Sequence, residues 1–319
     1  MNSKKVFITG VTGFVGRHIA EHFHEQGFSV SGLVRDKQKF QEANIPFVTP
    51  VWGHLTEIPD EALKDISYFI HVAGVINARD KNHYYDINAT ATGKLLEKIK
   101  LVNPEFERFL YISSLAAAGP ALLEPRTLME IEAPVSHYGR SKFMGEQEVV
   151  KSISAFTILR PPVMYGPYDR GMLMPFQMAE KYGIAPLIGK GLSKIDFLYI
   201  DDFAKACFDA IQSPNTIGKK YFLGGNSLNW QEFWGLMKIA YGKKLRIISI
   251  PPTIVKGLGY INDIVNNSML NSDKVKEITS PNWTSNCEEA KRDFNFSRQM
   301  ENLEGVCSTY KWYKTKGWL

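Results

Sequence analysis

The sequence predicts an α/β protein with a doubly wound parallel sheet, followed by a smaller, mixed C-terminal domain. Short apolar runs alternate with amphipathic stretches throughout the first half of the chain. A glycine-rich turn joins the first of these runs to the first amphipathic stretch, and the alternation becomes less regular in the second half. Because parallel strands need crossover connections, this alternation implies right-handed strand–helix–strand units.

The first half of the chain supplies most of the predicted sheet. The longest predicted helix covers residues 85–102, with Ile87, Ala91, Leu95 and Ile99 on one face, and Asn103-Pro104 ends it. The other helices are expected over residues 15–26 and 138–152, and the strands over residues 5–9, 29–34, 47–51, 68–72, 109–113 and 156–159.

The second half has a softer pattern. Helices are expected over residues 172–181, 203–212, 230–240, 253–266 and 300–316, and strands over residues 197–200 and 221–224. The character of the chain changes near Pro161. We therefore expect one domain over residues 1–165 and a second over residues 166–319, with segments near 197–212 returning to the core of the first.

Composition excludes several classes of protein. The 319 residues are 44% apolar and 22% charged, which is ordinary for a soluble globular protein. No apolar run reaches the roughly 18–20 residues of a membrane span, and the N-terminus lacks the pattern of a signal peptide, so a cytoplasmic protein is expected. Cys207, Cys287 and Cys307 have no metal-ligand spacing, which favours free thiols and no metal site.

The charge pattern also limits the partners. The net charge of +5 is mild, and no basic cluster alternates with aromatic residues as in nucleic-acid-binding modules, so no nucleic acid is expected. The C-terminal stretch TYKWYKTKGWL mixes lysines with tryptophan and tyrosine. Such a mixture is compatible with an anionic membrane surface. A terminal helix that packs its aromatic rings and solvates its lysines is the favoured interpretation, and membrane contact is not expected.

The stretch ITGVTGFVGRH has the context of a dinucleotide-binding turn. Gly10, Gly13 and Gly16 follow a predicted strand and open a predicted helix. Glycines permit a tight turn and close backbone approach, and a helix N-terminus offers unpaired N–H groups to a pyrophosphate. A plain strand–helix turn is the alternative. The predicted cofactor contacts of this turn are Gly10, Thr12, Gly13, Phe14, Val15 and Gly16.

The glycine spacing, together with motifs that recur in order along the chain, resembles the extended short-chain dehydrogenase/reductase family, also called the NAD-dependent epimerase/dehydratase superfamily. The resemblance implies a Rossmann-type sheet, a nicotinamide cofactor and a second domain that binds a small-molecule substrate. It also implies a homodimer, since relatives usually pair through the helices that carry Asn88 and Tyr138.

Arg35, at the end of the second predicted strand, bears on the choice of cofactor. A carboxylate there would favour NAD by binding the ribose 2′-OH, whereas an arginine can form a forked contact with the 2′-phosphate of NADP. Lys37 and Lys39 add positive charge nearby, and Asp36 opposes the inference. We expect NADP to be preferred, with NAD possible, and a solvated turn arginine is the alternative.

Further cofactor contacts follow from the resemblance. His54 stands where relatives usually carry an acid that contacts adenine, and Leu55 still supplies apolar surface. The stretch HVAGV resembles the loop after the fourth strand, and LRPPVMYGPYD resembles the segment beside the nicotinamide. Asn88 resembles the asparagine that supports the active-site lysine through water. The implied cofactor contacts are His54, Leu55, Val72, Ala73, Gly74, Tyr138, Lys142, Pro161 and Val163.

The stretch SHYGRSK places Tyr138 and Lys142 on one helix face. Ser114 ends a predicted strand, where parallel sheets present functional groups, and the three residues resemble the family's Ser–Tyr–Lys set. Tyr138 would act as acid or base on a carbonyl or an alcohol, and a nearby ammonium and an oxidised nicotinamide would both lower its pKa. Lys142 would tune Tyr138 and hold ribose hydroxyls, and Ser114 would bind the reacting oxygen. A packed tyrosine with a solvated lysine is the alternative.

The substrate is less well defined by the sequence. Relatives that act on nucleotide sugars usually carry an arginine before the aspartate of a segment like DFLY, and this chain has Ile195 there. Arg35 resembles the dihydroflavonol-reductase and 3β-hydroxysteroid-dehydrogenase branch, which implies a ketone or secondary alcohol on a bulky, fairly apolar molecule. A nucleotide-sugar epimerase or dehydratase with retained NAD, and a non-catalytic cofactor-binding regulator, remain alternatives. The expected substrate contacts are Val75, Ser114, Met164, Tyr168, Met172 and Met174.

Overall fold

The strands of the protein fall into one large sheet and two small ones. A computed structural model describes residues 4–264 and 271–319. Within these residues, the strands are β1 Lys5–Thr9, β2 Ser29–Val34, β3 Val48–Trp52, β4 Tyr68–His71, β5 Arg108–Ile112, β6 Phe156–Arg160, β7 Val163–Tyr165, β8 Ile184–Ile188, β9 Lys194–Tyr199, β10 Lys219–Phe222, β11 Ser227–Asn229 and β12 Arg246–Ile250.

The large sheet is parallel and has seven strands in the order β10-β6-β5-β4-β1-β2-β3. The order reverses direction between β1 and β4, so the glycine turn after β1 lies at the point where a doubly wound sheet opens a crevice for ligands. The Rossmann-type α/β fold expected from the sequence is confirmed. Within β1, Val6, Phe7 and Ile8 are all buried, as expected for a strand covered by helices on both faces.

The helices cover the sheet and build the second lobe. They are α1 Phe14–Glu25, α2 Lys37–Ala43, α3 Lys81–Tyr85, α4 Ala91–Val102, α5 Leu115–Ala118, α6 His137–Ser152, α7 Leu173–Tyr182, α8 Ile200–Gln212, α9 Trp230–Tyr241, α10 Pro252–Ile264, α11 Ser272–Ile278, α12 Glu288–Phe294 and α13 Asn302–Thr315. Short 3₁₀ turns cover Asp60–Ala62 and Pro214–Thr216. No helix in the described ranges is long and apolar enough to cross a membrane.

The second lobe has its own apolar core. A three-stranded sheet in the order β11-β9-β7 and a two-stranded sheet of β12 and β8 lie in it. Phe176, Phe233, Trp234 and Tyr313 are buried together there. The rings of Tyr313 and Trp318 stack at 5.6 Å, so the aromatic residues of the C-terminal stretch pack within the chain.

The chain returns to the large sheet after entering the second lobe. Helix α8 buries Phe203 and Ala206 in the same core as Val6 of β1, and β10 pairs in parallel with β6. The boundary between residues 165 and 166 stays a prediction.

The structure differs from the expected elements at several places. The helix expected over residues 85–102 is divided by a π-helical turn at Asp86–Thr90 between α3 and α4. Such turns occur frequently at functional sites. The helix expected over residues 253–266 is described to Ile264, and its last two residues lie outside the described ranges. The sequence pattern does not predict the elements α2, α3, α5, β7, β8, β11, β12, α11 and α12.

Candidate active site

The glycine turn between β1 and α1 forms a cradle of the shape a pyrophosphate needs. Gly10 has φ +73°, and a Cβ there would lie 2.9 Å from the backbone nitrogen of Ala73. Gly13 is the N-cap of α1 and provides no side-chain hydrogen bond to the first N–H groups of that helix. These N–H groups and the positive end of the helix dipole are therefore available to an anion. The cradle fits a dinucleotide, with Thr12, Phe14, Val15 and Gly16 on the same turn.

A buried polar chain behind the cradle was missed by the sequence analysis. Thr9 Oγ1 accepts hydrogen bonds from the N–H groups of Val72 (3.2 Å) and Ala73 (3.1 Å), so its own proton points to Nδ1 of His71 at 2.7 Å. The Nε2 atom of His71 lies 3.0 Å from Thr92 Oγ1. Burial lowers the pKa of His71 to about 3, so the ring is neutral. This chain fixes the loop after β4 to the end of β1.

Arg35 and Asp36, which follow β2, have different surroundings. Asp36 is the N-cap of α2, and its carboxylate accepts the N–H of Lys39 at 3.1 Å. Arg35 is exposed, and no hydrogen bond or ion pair joins its side chain to another described residue. The acid that opposed an anion-binding role for Arg35 is therefore engaged in capping a helix.

The other expected cofactor positions lie at the carboxyl ends of neighbouring strands. His54 and Leu55 follow β3, where His54 is exposed and Leu55 packs against the core. Val72, Ala73 and Gly74 follow β4. Pro161 follows β6, where its carbonyl accepts the N–H of Leu115 at 2.9 Å, and Val163 begins β7. All remain predictions as cofactor contacts.

Tyr138 lies in the first turn of α6, near Ser114. Ser136 is the N-cap of this helix, and its side chain accepts the N–H of Gly139 at 2.9 Å. Burial raises the pKa of Tyr138 to about 12, while the Ser114 hydroxyl acts in the opposite direction. The expected lowering of this pKa depends on an oxidised nicotinamide as well as on an ammonium, and in the protein alone the loss of hydration outweighs the effect of Ser114.

Lys142 is buried one turn after Tyr138. Its Nζ donates to the carbonyl oxygen of Ile112 at 2.7 Å and lies 4.2 Å from the centre of the Tyr111 ring. Burial lowers the pKa of Lys142 to about 7, and the nearby carboxylate of Glu146 opposes the shift. The ammonium is therefore held at the carboxyl end of β5, next to the strand end that presents Ser114.

Ser113 is bound by α6 about two turns after Tyr138. Its hydroxyl donates to Glu146 Oε1 at 2.5 Å, and Arg160 donates to both oxygens of the same carboxylate at 2.8 and 2.6 Å. Arg160 and Glu146 are almost completely buried. This pair ties α6 to β6, leaving Ser114, rather than Ser113, beside the phenol.

Asn88 contacts the loop after β4 directly. Its Oδ1 accepts the N–H of Val75 at 2.8 Å, and its Nδ2 donates to the carbonyl of Val75 at 3.0 Å and to Ser141 Oγ at 2.9 Å. Asn88 lies in the π-helical turn, which places it between the loop after β4 and helix α6. A positioning role is therefore visible without the water bridge expected from the resemblance.

Two carboxylates from α11 reach the start of α6 and were missed by the sequence analysis. Asp273 accepts the N–H of His137 with both oxygens, at 2.8 and 2.9 Å, and the N–H of Tyr138 at 3.3 Å. Glu277 accepts the hydroxyl of Ser136 at 2.6 Å, and its charge raises the pKa of Tyr138 further. We call Asp273 and Glu277 the α11 carboxylates. They attach the second lobe to the helix that carries the phenol.

The residues expected to contact the substrate do not lie together in the described contacts. Met164 packs against the core of the large sheet, Met172 is buried in the second lobe and Met174 is exposed. The ring of Tyr168 lies under the guanidinium of Arg17 at 3.3 Å and 4.4 Å from the ring of Trp312. These positions, with Val75, remain predictions as substrate contacts.

The segment that carries an arginine in nucleotide-sugar relatives is apolar here. Ile195 of β9 is buried in the core of the second lobe. Asp196 is buried as well, and it accepts Ser227 Oγ at 2.8 Å and the N–H of Ser285 at 2.8 Å. The aspartate therefore serves the packing of the lobe, and position 195 offers no charge to a diphosphate.

Comparison with known proteins places this arrangement among nicotinamide-dependent enzymes. The family model described as "NAD dependent epimerase/dehydratase family" matches residues 6–224. The chain is 26% identical to the ceramide reductase of Caulobacter vibrioides, over 98% of this chain and 96% of that protein. It is 24% identical to the 2-alkyl-3-oxoalkanoate reductase of Stenotrophomonas maltophilia, over 95% of this chain and 97% of that protein.

Solved structures share the fold. UDP-glucuronic acid 4-epimerase from Bacillus cereus, in complex with UDP-glucuronic acid and NAD, superposes with a TM-score of 0.80. The match covers 98% of this chain and 99% of the epimerase at 20% identity. At that identity the likeness concerns the fold alone.

Proposed function

This chain belongs to the NAD dependent epimerase/dehydratase family, and we propose that it reduces a ketone on a bulky, apolar substrate with NADPH as the preferred reductant. The protein is an enzyme of the NAD(P)-dependent oxidoreductase type. The family expected from the sequence is confirmed. Its structural neighbours bind NAD, so the preference for NADP, the substrate and the roles of single residues belong to the proposal.

The burial of Tyr138 near Ser114 is the observation that carries the proposed direction of reaction. Burial raises the pKa of this phenol to about 12, so the phenol suits the role of an acid at neutral pH. Ser114 lies near the same hydroxyl and can bind the same carbonyl oxygen. A reduction needs an acid at this place, whereas an oxidation would need a base.

Each of the residues near Tyr138 has its own role in the proposed proton transfer. A nicotinamide cofactor with its pyrophosphate at the glycine turn would supply hydride to the carbonyl carbon. Tyr138 gives its proton to the carbonyl oxygen while Ser114 donates a hydrogen bond to that oxygen. Lys142, in its charged form, stabilises the phenolate that remains, and solvent returns the proton. Asn88 holds the loop after β4 and helix α6 in register while this occurs.

Arg35 supports the preference for NADP. It follows β2, the strand whose end meets the adenosine ribose in folds of this kind, and Asp36 is engaged in capping α2. A guanidinium forms two parallel hydrogen bonds with a phosphate, whereas it gains little from a ribose hydroxyl. The exposed Arg35 therefore matches a 2′-phosphate better than a 2′-hydroxyl.

A ketone that carries alkyl chains is the proposed substrate class. Two relatives that match this chain over nearly its whole length are reductases, and their names refer to a ceramide and to a 2-alkyl-3-oxoalkanoate. Both are molecules with alkyl chains. Buried Ile195, where nucleotide-sugar relatives usually have an arginine, supports the same class.

A nucleotide-sugar epimerase or dehydratase with retained NAD is the second candidate. The family model, whose description names epimerases and dehydratases, supports it. A non-catalytic cofactor-binding regulator is the third candidate, and the presence of Ser114, Tyr138 and Lys142 together argues against it.

Thermal unfolding in the presence of separate ligands tests these alternatives. A ligand at 100 times its Kd stabilises the native state by about 2.7 kcal/mol. We expect NADP to raise the Tm more than NAD at equal concentration, and UDP to leave it unchanged. An increase with UDP together with NAD, and none with NADP, would favour the epimerase. Consumption of NADPH with a 2-alkyl-3-oxoalkanoate would then be measured, and a regulator would show none.

A further inference from the structure

The second lobe contains a segment with only positive charge. Between Glu232 and Asp263 the sequence has five lysine or arginine residues and no aspartate or glutamate. The whole chain has 38 basic and 33 acidic residues, so this segment accounts for the net charge of +5. Lys243 lies 3.7 Å from Glu180, whereas no ion pair joins Lys244, Arg246 or Lys256 to another described residue.

Helix α10 in this segment turns an apolar stripe to solvent. Ile254, Leu258 and Ile261 lie on one helix face and are 53%, 46% and 55% exposed. The helix packs on α11 through a narrow buried stripe that includes Val255 and Gly259. A Cβ at Gly259 would lie 2.7 Å from Val275 Cγ2, so the two helices approach closely there. The packing thus leaves the larger apolar side chains outside.

Strand β12, which precedes α10, also has exposed apolar and basic side chains. Its pairing in the described residues is with β8 alone, and Ile247 and Ile248 are 59% and 37% exposed. Lys244 lies two residues before the strand, and Arg246 begins it. We call the exposed side chains of these consecutive elements the cationic apolar surface, made of Lys244, Arg246, Ile247, Ile248, Ile254, Leu258 and Ile261.

We propose that the cationic apolar surface docks on an anionic lipid bilayer. Aliphatic side chains can enter the boundary between headgroups and acyl chains while lysine and arginine bind the lipid phosphates. Binding of this kind lies along the membrane surface and needs no spanning helix.

The charge of the surface argues against other occupants. In a two-fold dimer through this face, the same cations would meet each other without any acid of the segment between them. A nucleic acid would find isoleucine and leucine where aromatic rings normally stack on bases. Membrane contact was considered from the sequence only for the C-terminal stretch, and it was not expected there. The aromatic rings of that stretch pack inside the second lobe.

The surface is connected to the active site through α11. Helix α10 packs on α11, and Asp273 of α11 accepts the N–H groups of His137 and Tyr138. An enzyme docked through α10 would therefore hold its catalytic helix one helix away from the bilayer. The docking inference does not depend on the ketone proposed above, although a substrate with alkyl chains would be found in that bilayer.

Flotation of the protein with vesicles, in the absence of cofactor and substrate, tests the proposal. Vesicles of phosphatidylcholine alone are compared with vesicles that also contain phosphatidylglycerol. We expect binding at least about tenfold tighter to the anionic vesicles. The double variant Lys244→Gln/Arg246→Gln should weaken it by about fivefold for each cation removed. The double variant Ile254→Gln/Leu258→Gln should weaken it by at least about tenfold.

Matched variants elsewhere provide the controls. Leu122→Gln/Leu123→Gln removes two other exposed leucines, and Lys100→Gln/Lys151→Gln removes two other exposed lysines. Both should bind vesicles like the unchanged protein. Absence of binding to anionic vesicles, or equal losses in the controls, would overturn the proposal. It would also be overturned if the unchanged protein bound no vesicles and instead formed an oligomer that the variant Ile254→Gln/Leu258→Gln did not form. A failure of ketone reduction would leave this result unaffected.

Discussion

Tyr138 lies between two regions that are built in different ways. On one side, Ser114 and the glycine turn stand at the carboxyl ends of strands of the large sheet. On the other side, Asp273 of α11 reaches the start of α6 from 136 residues away in sequence. The first region is made of short motifs next to regular elements, whereas the second exists only after the two lobes have packed together.

The two regions are expected to contribute to the reaction in different ways. The large sheet supplies the groups that can bind a cofactor and transfer a proton. The second lobe supplies carboxylates that hold α6 and keep the phenol protonated, since the charge of Glu277 acts in the same direction as burial. Changes in the first region should therefore abolish turnover or change the cofactor, and changes in the second should alter rate and pH dependence by smaller factors.

Tyr138→Phe is expected to have the largest effect. Removal of the proton donor should lower kcat for ketone reduction by about 10³-fold, within the range for general acid catalysis. The Tm increase produced by NADPH should remain. Tyr84→Phe is the matched control, because its ring lies 6.4 Å from the ring of Tyr138. Turnover of Tyr138→Phe equal to that of the control would refute the role of the phenol.

Arg35→Asp should change the cofactor preference by about 10- to 100-fold. The substitution removes charge-assisted hydrogen bonds to the 2′-phosphate and adds repulsion, while a carboxylate can accept a ribose hydroxyl. The measurement is kcat/KM for NADPH and for NADH with one ketone. Equal losses with both cofactors would mean that Arg35 does not contact the 2′-phosphate.

The pH dependence of reduction should follow Lys142. Since burial lowers its pKa to about 7, the ammonium is present below that pH and is lost as pH rises. We expect kcat/KM for reduction to fall by up to about tenfold per pH unit above 7. Lys142→Arg keeps a positive charge at these pH values and should flatten the profile, even if its rate is lower. The same fall in both proteins would assign the titration to another group.

Asp273→Asn should have the smallest effect on turnover, a several-fold loss of kcat. The amide retains the shape and loses the charge that favours the N-terminus of α6. Glu277→Gln should move the second alkaline fall, that of Tyr138, to lower pH, because the nearby negative charge raises the pKa of this phenol. The fall above pH 7 that follows Lys142 should stay in place. Glu288→Gln, which alters an exposed ion pair with Lys291, is the control. An unchanged second fall for Glu277→Gln would exclude an influence on the phenol.

These two regions also differ in how far the sequence predicts them. The central sheet and the set Ser114, Tyr138 and Lys142 follow from patterns that are local or repeat at strand ends. The α11 carboxylates do not, because acids on a short amphipathic helix have the same pattern whether they face solvent or another helix. The extent of burial is not visible in a local pattern either, so the rise in the pKa of Tyr138 in the protein alone does not follow from the sequence.

The central claim is most directly tested by following the hydride. NADPH that carries deuterium on the transferred position is mixed with a 2-alkyl-3-oxoalkanoate, and the product is examined by mass spectrometry. The account predicts one deuterium on the new carbinol carbon for each NADP formed. Inversion of a UDP-sugar by enzyme that retains NAD, with no consumption of NADPH and no labelled alcohol, would contradict it.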